Sequence, residues 1–446
     1  MSVRTVSSAQ RRGACPGLSA PMPTGDGLLV RLMPIGTMSL AAFSALCAAA
    51  RQHGNGVIEV TARGSIQIRG LSAASAPRFA DAIAALNIAA ADGIPVLSNV
   101  LAGLDPEEVL DAGALAADLR RAFTETSLAA RLAPKVSVVI DGGGPFDLDE
   151  IPADVRMRGE LFSGDIELRV SVGGDDASAI PLGVITPALG VETAMRLLEV
   201  IARRGRDSRA RNVIAAEGTA PFHAALSNLL ASPARTRESG YPQPDSRLRR
   251  NERRTDPIGL HRLRDGSLAY GIGLAFGHAD APALERLTEV ASAAGASGLR
   301  AAAGRALMII GLTEETAPAL IAGAAGLGFI VRADDPRRYV VACAGAPICS
   351  SAHLAARAIA PLVAEVAGTQ LDAAFKVHIS GCAKGCAHAG TAALTLVGSA
   401  GGCALIADGS PRDTPFATIA AEELLAAVAQ YARDAKRETK HEKSHV

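Results

Sequence analysis

The sequence predicts an α+β protein that contains the same kind of α/β unit twice. Two observations support this prediction: matched segments recur along the chain at nearly one spacing, and segments with strand and helix periodicity alternate through both halves. With 446 residues, the chain also exceeds the roughly 250 residues at which single hydrophobic cores stop growing. We therefore expect several domains arranged as two related halves.

The first half begins with a β-α-β-β pattern. Asp26 precedes an apolar strand over 28–32, and a helix with one apolar face follows it. Two short strands are expected over 57–62 and 65–69. A later apolar segment that starts at Lys135 predicts a buried strand.

The second half repeats this pattern in the same order. Asp265 precedes a strand over 268–274, a helix is expected over 281–294, and strands are expected over 299–302 and 306–310. The spacing between matched residues is nearly constant: 239 positions from Asp26 to Asp265, 242 from Arg63 to Arg305 and 241 from Lys135 to Lys376. Three pairs at one spacing indicate an internal duplication.

Four units and one linker follow from this pattern. Each half contains a small unit and then a larger mixed α/β unit, and the polar, proline-containing segment between the halves is typical of a linker. The predicted bounds are 12–75 and 90–230 for the first half, 231–257 for the linker, and 258–325 and 330–434 for the second half.

The composition is that of a folded protein without an excess of either charge. Hydrophobic residues make up 49% of the chain, and 45 basic residues balance 45 acidic ones. Because proteins that bind nucleic acids or anionic membranes use a basic excess, we expect neither partner. Residues 1–17 lack the apolar core of a secretory signal, and the apolar segment 317–331 is too short to cross a bilayer. The sequence therefore predicts a cytoplasmic location.

Four of the seven cysteines form two closely spaced pairs, each after an apolar strand. Five residues separate Cys343 from Cys349, and three separate Cys382 from Cys386. Cluster iron binds thiolates, and a cubane needs four of them to converge. Glycine beside Cys382 lets the backbone approach a bulky inorganic group. The pattern predicts that these four cysteines hold one [4Fe–4S] cluster.

Other interpretations of the cysteines remain open. Zinc sites favour pairs separated by two to four residues, which only the second pair satisfies, and disulfides are rare in a reducing cytoplasm. Cys47 and Cys403 are expected to pack in the core. The sequence around Cys15 does not decide between packing and a place in the active site.

The cysteine spacing and the duplicated β-α-β-β pattern together resemble the sulfite and nitrite reductase superfamily, from about Cys15 to Tyr431. The resemblance implies that the small units 12–75 and 258–325 are ferredoxin-like half-domains. It also implies that the units 90–230 and 330–434 are nitrite/sulfite reductase-type α/β domains, of which the second holds the cluster ligands Cys343, Cys349, Cys382 and Cys386.

Within that superfamily, three segments are similar to the precorrin-3B synthases of aerobic cobalamin biosynthesis: 11–32, 53–71 and 378–388. This resemblance implies hydroxylation of the tetrapyrrole precorrin-3A at C20 by O2, with formation of a lactone. It also implies a [4Fe–4S] cluster, a further non-haem iron and NADH as the ultimate electron donor. A sirohaem-dependent sulfite or nitrite reductase is the alternative, and an electron-carrier protein is a second one.

A tetrapyrrole substrate with several carboxylates implies a basic pocket. Arg63, Ser65, Gln67 and Arg69 alternate along one expected strand and would face one side of the sheet. Arginine binds carboxylates with two parallel hydrogen bonds, and the superfamily binds its tetrapyrrole at this motif. The other interpretation of these residues is an ordinary solvated sheet face.

Weaker candidates for substrate binding lie on segments that the repeat places near the same crevice: Arg31, Lys135, Arg300, Arg305 and Lys384. Each could equally form a surface ion pair. His378 and His388, beside the cysteines, could bind the second iron or relay protons, although a core position fits His378 better. The ligands of that iron cannot be assembled from spacing.

Electrons are expected from a separate NADH-dependent reductase. The glycines at 271, 273 and 277 have the wrong spacing for a dinucleotide-binding turn and do not clearly open a helix. In the first half, the segment 141–144 (Asp-Gly-Gly-Gly) aligns with the Cys382 loop, and we interpret it as the cysteine-free counterpart of that loop.

Overall fold

The computed structural model describes residues 16–91, 93–230, 255–388 and 390–443. The chain forms two compact units. The first consists mainly of Leu32–Met38 and Ala89–Ala269, and the second consists of Leu18–Arg31, Ser39–Ile88 and the chain from Tyr270 onward. The finer domain boundaries expected from the sequence stay predictions, and most of the expected linker lies outside the described residues.

The second unit begins with the first β-α-β-β repeat. Its helix starts after Ser39, whose Oγ accepts a hydrogen bond from the Ala42 N–H at 3.2 Å, and it buries Phe43 in the core. The helix ends at Gly54, where a β-carbon would lie 2.5 Å from the Arg69 carbonyl oxygen. The elements are β1 (Met22–Thr24), β2 (Gly27–Leu32), α1 (Leu40–His53), β3 (Val57–Val60), β4 (Ile66–Leu71) and α2 (Ser75–Ala85).

A strand from the second repeat completes this sheet. The order is β1-β2-β4-β3, and β12 (His278–Asp280) pairs antiparallel with β3, so that His278 lies opposite Glu59. Residues more than 200 positions apart in sequence therefore become neighbours within one unit. The pairing places two ionisable residues, Glu59 and His278, opposite each other on adjacent strands.

The first unit is built on a mixed five-stranded sheet of order β5-β6-β7-β8-β9. The pairs β5/β6 and β6/β7 are parallel, and the other two are antiparallel. Apolar residues of α3 and α5 share one core with strand residues such as Val138 and Leu168. The elements are β5 (Val96–Ser98), α3 (Ala112–Thr124), α4 (Leu128–Arg131), β6 (Val138–Asp141), β7 (Val155–Phe162), β8 (Asp165–Val172), β9 (Ile180–Ile185), α5 (Gly190–Arg203), α6 (Ala210–Glu217), α7 (Ala220–Leu226) and β10 (Gly259–Arg262).

The second β-α-β-β repeat follows the same plan as the first. Its helix is flanked by strands, and β14 lies between β11 and β13. The strand pair β13/β14 is antiparallel, with Arg300 opposite Met308. The elements are β11 (Leu268–Gly273), β12, α8 (Ala281–Ala293), β13 (Gly298–Ala302), β14 (Ala306–Leu312) and α9 (Ala317–Gly326).

The last segment of the second unit forms another mixed five-stranded sheet, of order β15-β16-β17-β18-β19. Here too, the first two pairs are parallel and the last two are antiparallel. The elements are β15 (Val340–Ala342), α10 (Ala356–Ala367), β16 (Val377–Ser380), β17 (Ala392–Ser399), β18 (Gly402–Gly409), β19 (Ala417–Ile419) and α11 (Leu424–Lys443).

The two mixed sheets have the same strand order and the same strand directions, which confirms the internal duplication and the α+β class. The helices and strands expected from the sequence are present, with ends that differ by a few residues. Two differences affect the site. The sequence predicts the strand before Cys343 over 338–342, whereas β15 starts at Val340 because Pro336–Tyr339 forms a 3-10 turn. Arg63 lies before β4, in a turn at Gly64 (φ +79°), rather than in the strand.

Two further expectations concern the core and the membrane. Cys47, on α1, and Cys403, on β18, are both buried, so their packing roles are confirmed. Cys15 lies outside the described residues. Among the described residues, none of the helices combines the length and the apolar character that crossing a bilayer requires.

Candidate metal centre

Two cysteine loops leave the same edge of the last sheet. Cys343 directly follows β15, and Cys382 comes two residues after β16. Because β15 and β16 are parallel neighbours, their carboxyl ends lie side by side. The Gly381 N–H donates a hydrogen bond to the Cys343 Sγ at 3.1 Å, which joins the two loops directly.

The first loop turns back so that Cys349 also reaches this edge. Gly345 adopts φ +68°, and a β-carbon there would lie 2.4 Å from the Ala356 nitrogen. The Cys349 N–H donates to the Gly345 carbonyl at 2.8 Å, and the His353 N–H donates to the Gly381 carbonyl at 2.8 Å. The loop therefore closes on the backbone beside Cys382.

The four cysteine side chains are close enough to influence one another electrostatically. Burial raises the pKa of the Cys343 thiol, the N–H groups of Gly381 and Gly345 oppose that rise, and the charges of Cys382 and Cys349 add to it. Burial also raises the pKa of the Cys386 thiol, and the charge of Arg69 lowers it, while the other three cysteines raise it. The structure therefore brings together all four predicted cluster ligands.

Four thiols are the donor set that a [4Fe–4S] cluster uses. Among residues 16–91, 93–230, 255–388 and 390–443, no three or more His, Cys, Asp or Glu side chains lie close enough to hold one metal ion. In a [4Fe–4S] cluster each thiolate binds a different iron, so the sulfurs stay farther apart than around one ion. Four converging thiols, with a backbone N–H directed at one sulfur, match that demand.

The turn between β1 and β2 lies against Cys349. A β-carbon on Gly25 would lie 2.4 Å from the Cys349 Sγ, and the Ser350 N–H donates to the Gly25 carbonyl at 2.8 Å. Only glycine fits at this position while Cys349 stays where it is. The ferredoxin-like repeat thus contributes part of the wall around the cysteines.

A network of charged residues joins the same repeat to α10. Glu59 on β3 accepts hydrogen bonds from Gln67 at 3.1 Å, from Arg69 at 3.1 Å and from Arg357 at 2.9 Å. Arg69 also bonds to Asp26 at 2.8 Å. Burial alone would lower the pKa of Arg69, but the carboxylates of Glu59 and Asp26 raise it above its ordinary value. Arg69 is therefore charged and held by two carboxylates of the protein itself.

The four residues predicted to form one basic strand face differ in their burial and in their position relative to β4. Arg63 is exposed in the turn before β4, whereas Ser65 is buried. Gln67 lies between two charged groups, since its Oε1 accepts from Arg31 at 2.9 Å and its amide donates to Glu59. The prediction that all four share one strand face is wrong, because the chain reverses at Gly64. Their roles in substrate binding stay predictions.

The weaker candidates for substrate binding lie on several different elements of the chain. Lys384, between Cys382 and Cys386, is exposed and donates to the Ser351 Oγ at 2.9 Å. Arg305 adopts φ +65° and donates to the Ala387 carbonyl at 3.4 Å, beside the second cysteine loop. Arg300 lies on β13. Lys135 is exposed in the first unit, just before β6.

The two histidines near the cysteines form a ring pair. The rings of His378 and His388 are 5.6 Å apart in an edge-to-face arrangement, and the His388 Nε2 contacts the Thr391 carbonyl at 3.0 Å. His378 is 1% exposed on β16, and among the described residues neither of its ring nitrogens has a hydrogen-bond partner. A core position for His378 is thus confirmed.

We expect His378 to make the protein less stable in acid. Burial, and then the charges of His388 and Arg305, lower the pKa of His378 to about 3, against about 6.5 in the unfolded chain. Below pH 6.5 only the unfolded chain binds this proton, so stability falls as pH falls toward 3. Protonation of His378 in the unfolded chain should therefore make the free energy of unfolding about 2 kcal/mol lower at pH 5 than at pH 8.

Urea unfolding of the full chain at pH 8 and pH 5 checks this expectation. His378→Leu should reduce the difference between the two pH values by about 2 kcal/mol. His223→Leu, which removes an exposed histidine of α7, is the matched control and should leave the difference unchanged. An equal pH response in the wild type and in His378→Leu would contradict the expectation.

The corresponding loop of the first unit contains acidic residues instead of cysteines. Asp141 ends β6, and its carboxylate accepts hydrogen bonds from the N–H groups of Gly143 at 2.8 Å and Leu148 at 3.0 Å. A β-carbon on Gly142 would lie 2.4 Å from the Glu108 Oε1. Both loops follow the second strand of equivalent sheets, which supports the interpretation of 141–144 as the counterpart of the Cys382 loop.

Sequence reasoning did not predict the role of Gly25, which lies against Cys349, or the residues that form and adjoin the charged network: Asp26, Glu59, His278 and Arg357. One signal was available for Glu59, because a carboxylate in the apolar strand Val-Ile-Glu-Val requires a partner if it is buried. No local signal identifies Arg357, since its partner Glu59 lies almost 300 residues earlier.

Comparisons with known proteins agree with this architecture. Residues 20–86 match the family model described as the nitrite/sulfite reductase ferredoxin-like half domain. The chain is 38% identical to a precorrin-3B synthase of a Sinorhizobium species, over 92% of this chain and 86% of that protein. It is 24% identical to the ferredoxin–nitrite reductase of Synechococcus elongatus, over 85% of this chain and 77% of that protein.

A solved structure has a similar fold. The Mycobacterium tuberculosis NirA protein aligns with a TM-score of 0.71 and 20% identity, over 92% of this chain and 83% of that chain. At this identity the likeness concerns the fold alone. It agrees with the expectation of paired ferredoxin-like and nitrite/sulfite reductase-type domains.

Proposed function

The chain belongs to the precorrin-3B synthase family, and we propose that it hydroxylates the tetrapyrrole precorrin-3A at C20 with O2 and closes a lactone from a ring acetate. The observation that supports this most is the 38% identity over 92% of the chain. Family members are oxidoreductases. One atom of O2 enters the substrate and the other leaves as water, so each turnover consumes two electrons, for which we propose NADH as the ultimate source.

Four thiolates would hold the [4Fe–4S] cluster: Cys343, Cys349, Cys382 and Cys386. When bound, the cluster supplies electrons one at a time. The chain prepares the site by directing the Gly381 N–H at the Cys343 sulfur. Because burial raises the pKa of Cys343 and Cys386, both would keep their protons until metal binding displaces them.

The chain would bind the substrate carboxylates through cationic and polar groups near these loops. Lys384 is exposed and lies in the chain between the proposed ligands Cys382 and Cys386. The Arg31 Nη2 donates a hydrogen bond to the Gln67 Oε1 at 2.9 Å, which orients the guanidinium. Arg63 is exposed in the turn before β4. Carboxylates bind such groups by charge-assisted hydrogen bonds, which fix the orientation of the macrocycle. Substrate binding by Ser65, Arg69, Lys135 and Arg305 stays a proposal from the sequence; Lys135 belongs to the first unit, and Arg69 is already held by Asp26 and Glu59.

The residues described here do not fit a separate non-haem iron. His378 and His388 are neighbours, but within the described ranges no third His, Cys, Asp or Glu joins them at a distance suited to one ion. We therefore assign no ligands to such an iron and derive no step through it. Iron analysis addresses it directly, since a further ion would raise the iron content above that of one cluster.

Anaerobic purification followed by turnover under oxygen-18 tests the proposed function. We expect about four iron and four sulfide per chain, and one labelled oxygen atom in the product formed from precorrin-3A. Sirohaem absorption bands in the purified protein would instead favour the sulfite or nitrite reductase alternative, whose relatives are more distant. Absence of product with a competent reductant would contradict the proposal.

A second assay addresses the electron donor. We propose a separate NADH-dependent reductase, because the glycine pattern at 271, 273 and 277 does not match a dinucleotide-binding turn. The purified chain should oxidise NADH at a substrate-coupled rate only after a reductase is added. Substrate-coupled NADH oxidation by the chain alone would contradict this part of the proposal.

A further inference from the structure

Arg69 is a buried cation held in a fixed position. It is 6% exposed, its Nη1 donates to the Asp26 Oδ1 at 2.8 Å, and its Nε donates to the Glu59 Oε2 at 3.1 Å. Asp26 and Glu59 are themselves mostly buried. A guanidinium between two buried carboxylates has little freedom to leave them, because breaking such a pair leaves an uncompensated buried charge.

Further ionisable groups lie around Arg69 and its two carboxylates. Glu59 also accepts a hydrogen bond from Arg357 at 2.9 Å and interacts electrostatically with Arg305. Glu59 is therefore bonded to two guanidiniums and lies within electrostatic range of a third. Burial, and then the charge of Arg357, lower the pKa of His278 to about 4, so this neighbouring ring is neutral at pH 7.

The cysteine loops lie next to this group. Asp26 belongs to the turn whose Gly25 lies against the Cys349 Sγ, and the carbonyl of Gly25 accepts from the Ser350 N–H at 2.8 Å. Arg69 also lies within electrostatic range of Cys386. Arg69 is therefore bonded to the residue that follows Gly25 in the turn packed against Cys349.

We propose that Arg69 raises the reduction potential of the [4Fe–4S] cluster and that Asp26 and Glu59 position it for this role. The inference rests on the proposed function, because the cluster is part of that function. Reduction adds one electron, and hence one negative charge, without making or breaking a bond. A fixed cation in a region of low dielectric constant stabilises the reduced form more than the oxidised form.

Dithionite titration of the full-length holoprotein, followed by the EPR signal of the reduced cluster, measures this effect. In Arg69→Met the equilibrium constant for reduction should fall about tenfold, which lowers the potential by about 59 mV for one electron. Arg69→Lys keeps the charge and should stay within about threefold of the wild type. Glu59→Gln removes a buried negative charge and should shift the potential upward.

Shifts of the reduction potential in opposite directions for Arg69→Met and Glu59→Gln distinguish an electrostatic role of the network from a merely structural one. If the network only held the fold together, Arg69→Met and Glu59→Gln would move the potential in the same direction or leave it unchanged, and either result would overturn the inference. Arg51→Met removes the same charge from an exposed position on α1 and should leave the potential unchanged, because solvent screens that charge. A shift in that control equal to the shift in Arg69→Met would also overturn it.

Cluster analysis distinguishes failure of the inference from failure of the proposed function. Wild-type protein purified anaerobically without iron and sulfide would overturn the proposed function and this inference with it. Wild-type protein with a full cluster whose potential does not respond to Arg69→Met would overturn this inference alone. If Arg69→Met fails to fold, the upward shift in Glu59→Gln and in Asp26→Asn still decides the question, and a downward or absent shift in both overturns it.

Discussion

Replacing Cys382 by serine is expected to remove most of the iron and sulfide and to lower turnover of precorrin-3A at least 100-fold, about 3 kcal/mol in activation free energy. Cys382 lies at the edge where two parallel strands end, and the Gly381 N–H beside it bonds to the sulfur of Cys343. Serine is a poor ligand for cluster iron, because its hydroxyl is harder than a thiol and ionises less readily. Iron and sulfide analysis of the anaerobically purified variant measures the loss.

Cys403→Ala is the matched control for that substitution. Cys403 is 1% exposed on β18 and packs in the core of the same sheet. Its replacement should lower the free energy of unfolding by about 1 to 2 kcal/mol through lost packing and leave the iron content unchanged. If Cys382→Ser kept full iron and sulfide and normal turnover, the assignment of Cys382 as a cluster ligand would be wrong.

Gly25→Ala is expected to have the second largest effect, with at least a tenfold loss of intact cluster after exposure to air. The new β-carbon would lie 2.4 Å from the Cys349 Sγ, about 1 Å closer than an ordinary contact, and 3.2 Å from the Ser351 Oγ. Either the sulfur or the β1–β2 turn must move. Movement of the turn opens the wall beside Cys349, and movement of the sulfur disturbs a ligand.

The decay of cluster absorbance in air-saturated buffer measures this effect. Gly17→Ala provides the control, because a β-carbon there meets no atom within 4 Å. Its decay rate should equal that of the wild type, and the far-UV circular dichroism of both variants should show an unchanged fold. A decay rate for Gly25→Ala equal to that of the control would show that the turn does not protect the cysteines.

Much of the fold could be predicted because its signals are local or periodic. Helix α1 has a serine cap and a regular apolar face, and α8 was placed to within one residue. The duplication appeared as three residue pairs at nearly one spacing, and the two mixed sheets confirm it. The expectation of four alternating residues from Arg63 to Arg69 was wrong, because the left-handed turn at Gly64 interrupts the extended backbone that alternation assumes.

By itself, the sequence determined that the chain has two related halves and predicted which four cysteines belong together, because loop spacing and repeat spacing are properties of the chain alone. Only the tertiary structure decided what surrounds those cysteines. Gly25 meets Cys349 across more than 300 residues, and Glu59 meets Arg357 across almost 300. Such contacts depend on how sheets and helices pack in space, which residue spacing does not encode. For the same reason, the sequence suggested that Arg69 binds substrate, whereas the folded chain gives it two carboxylate partners of its own.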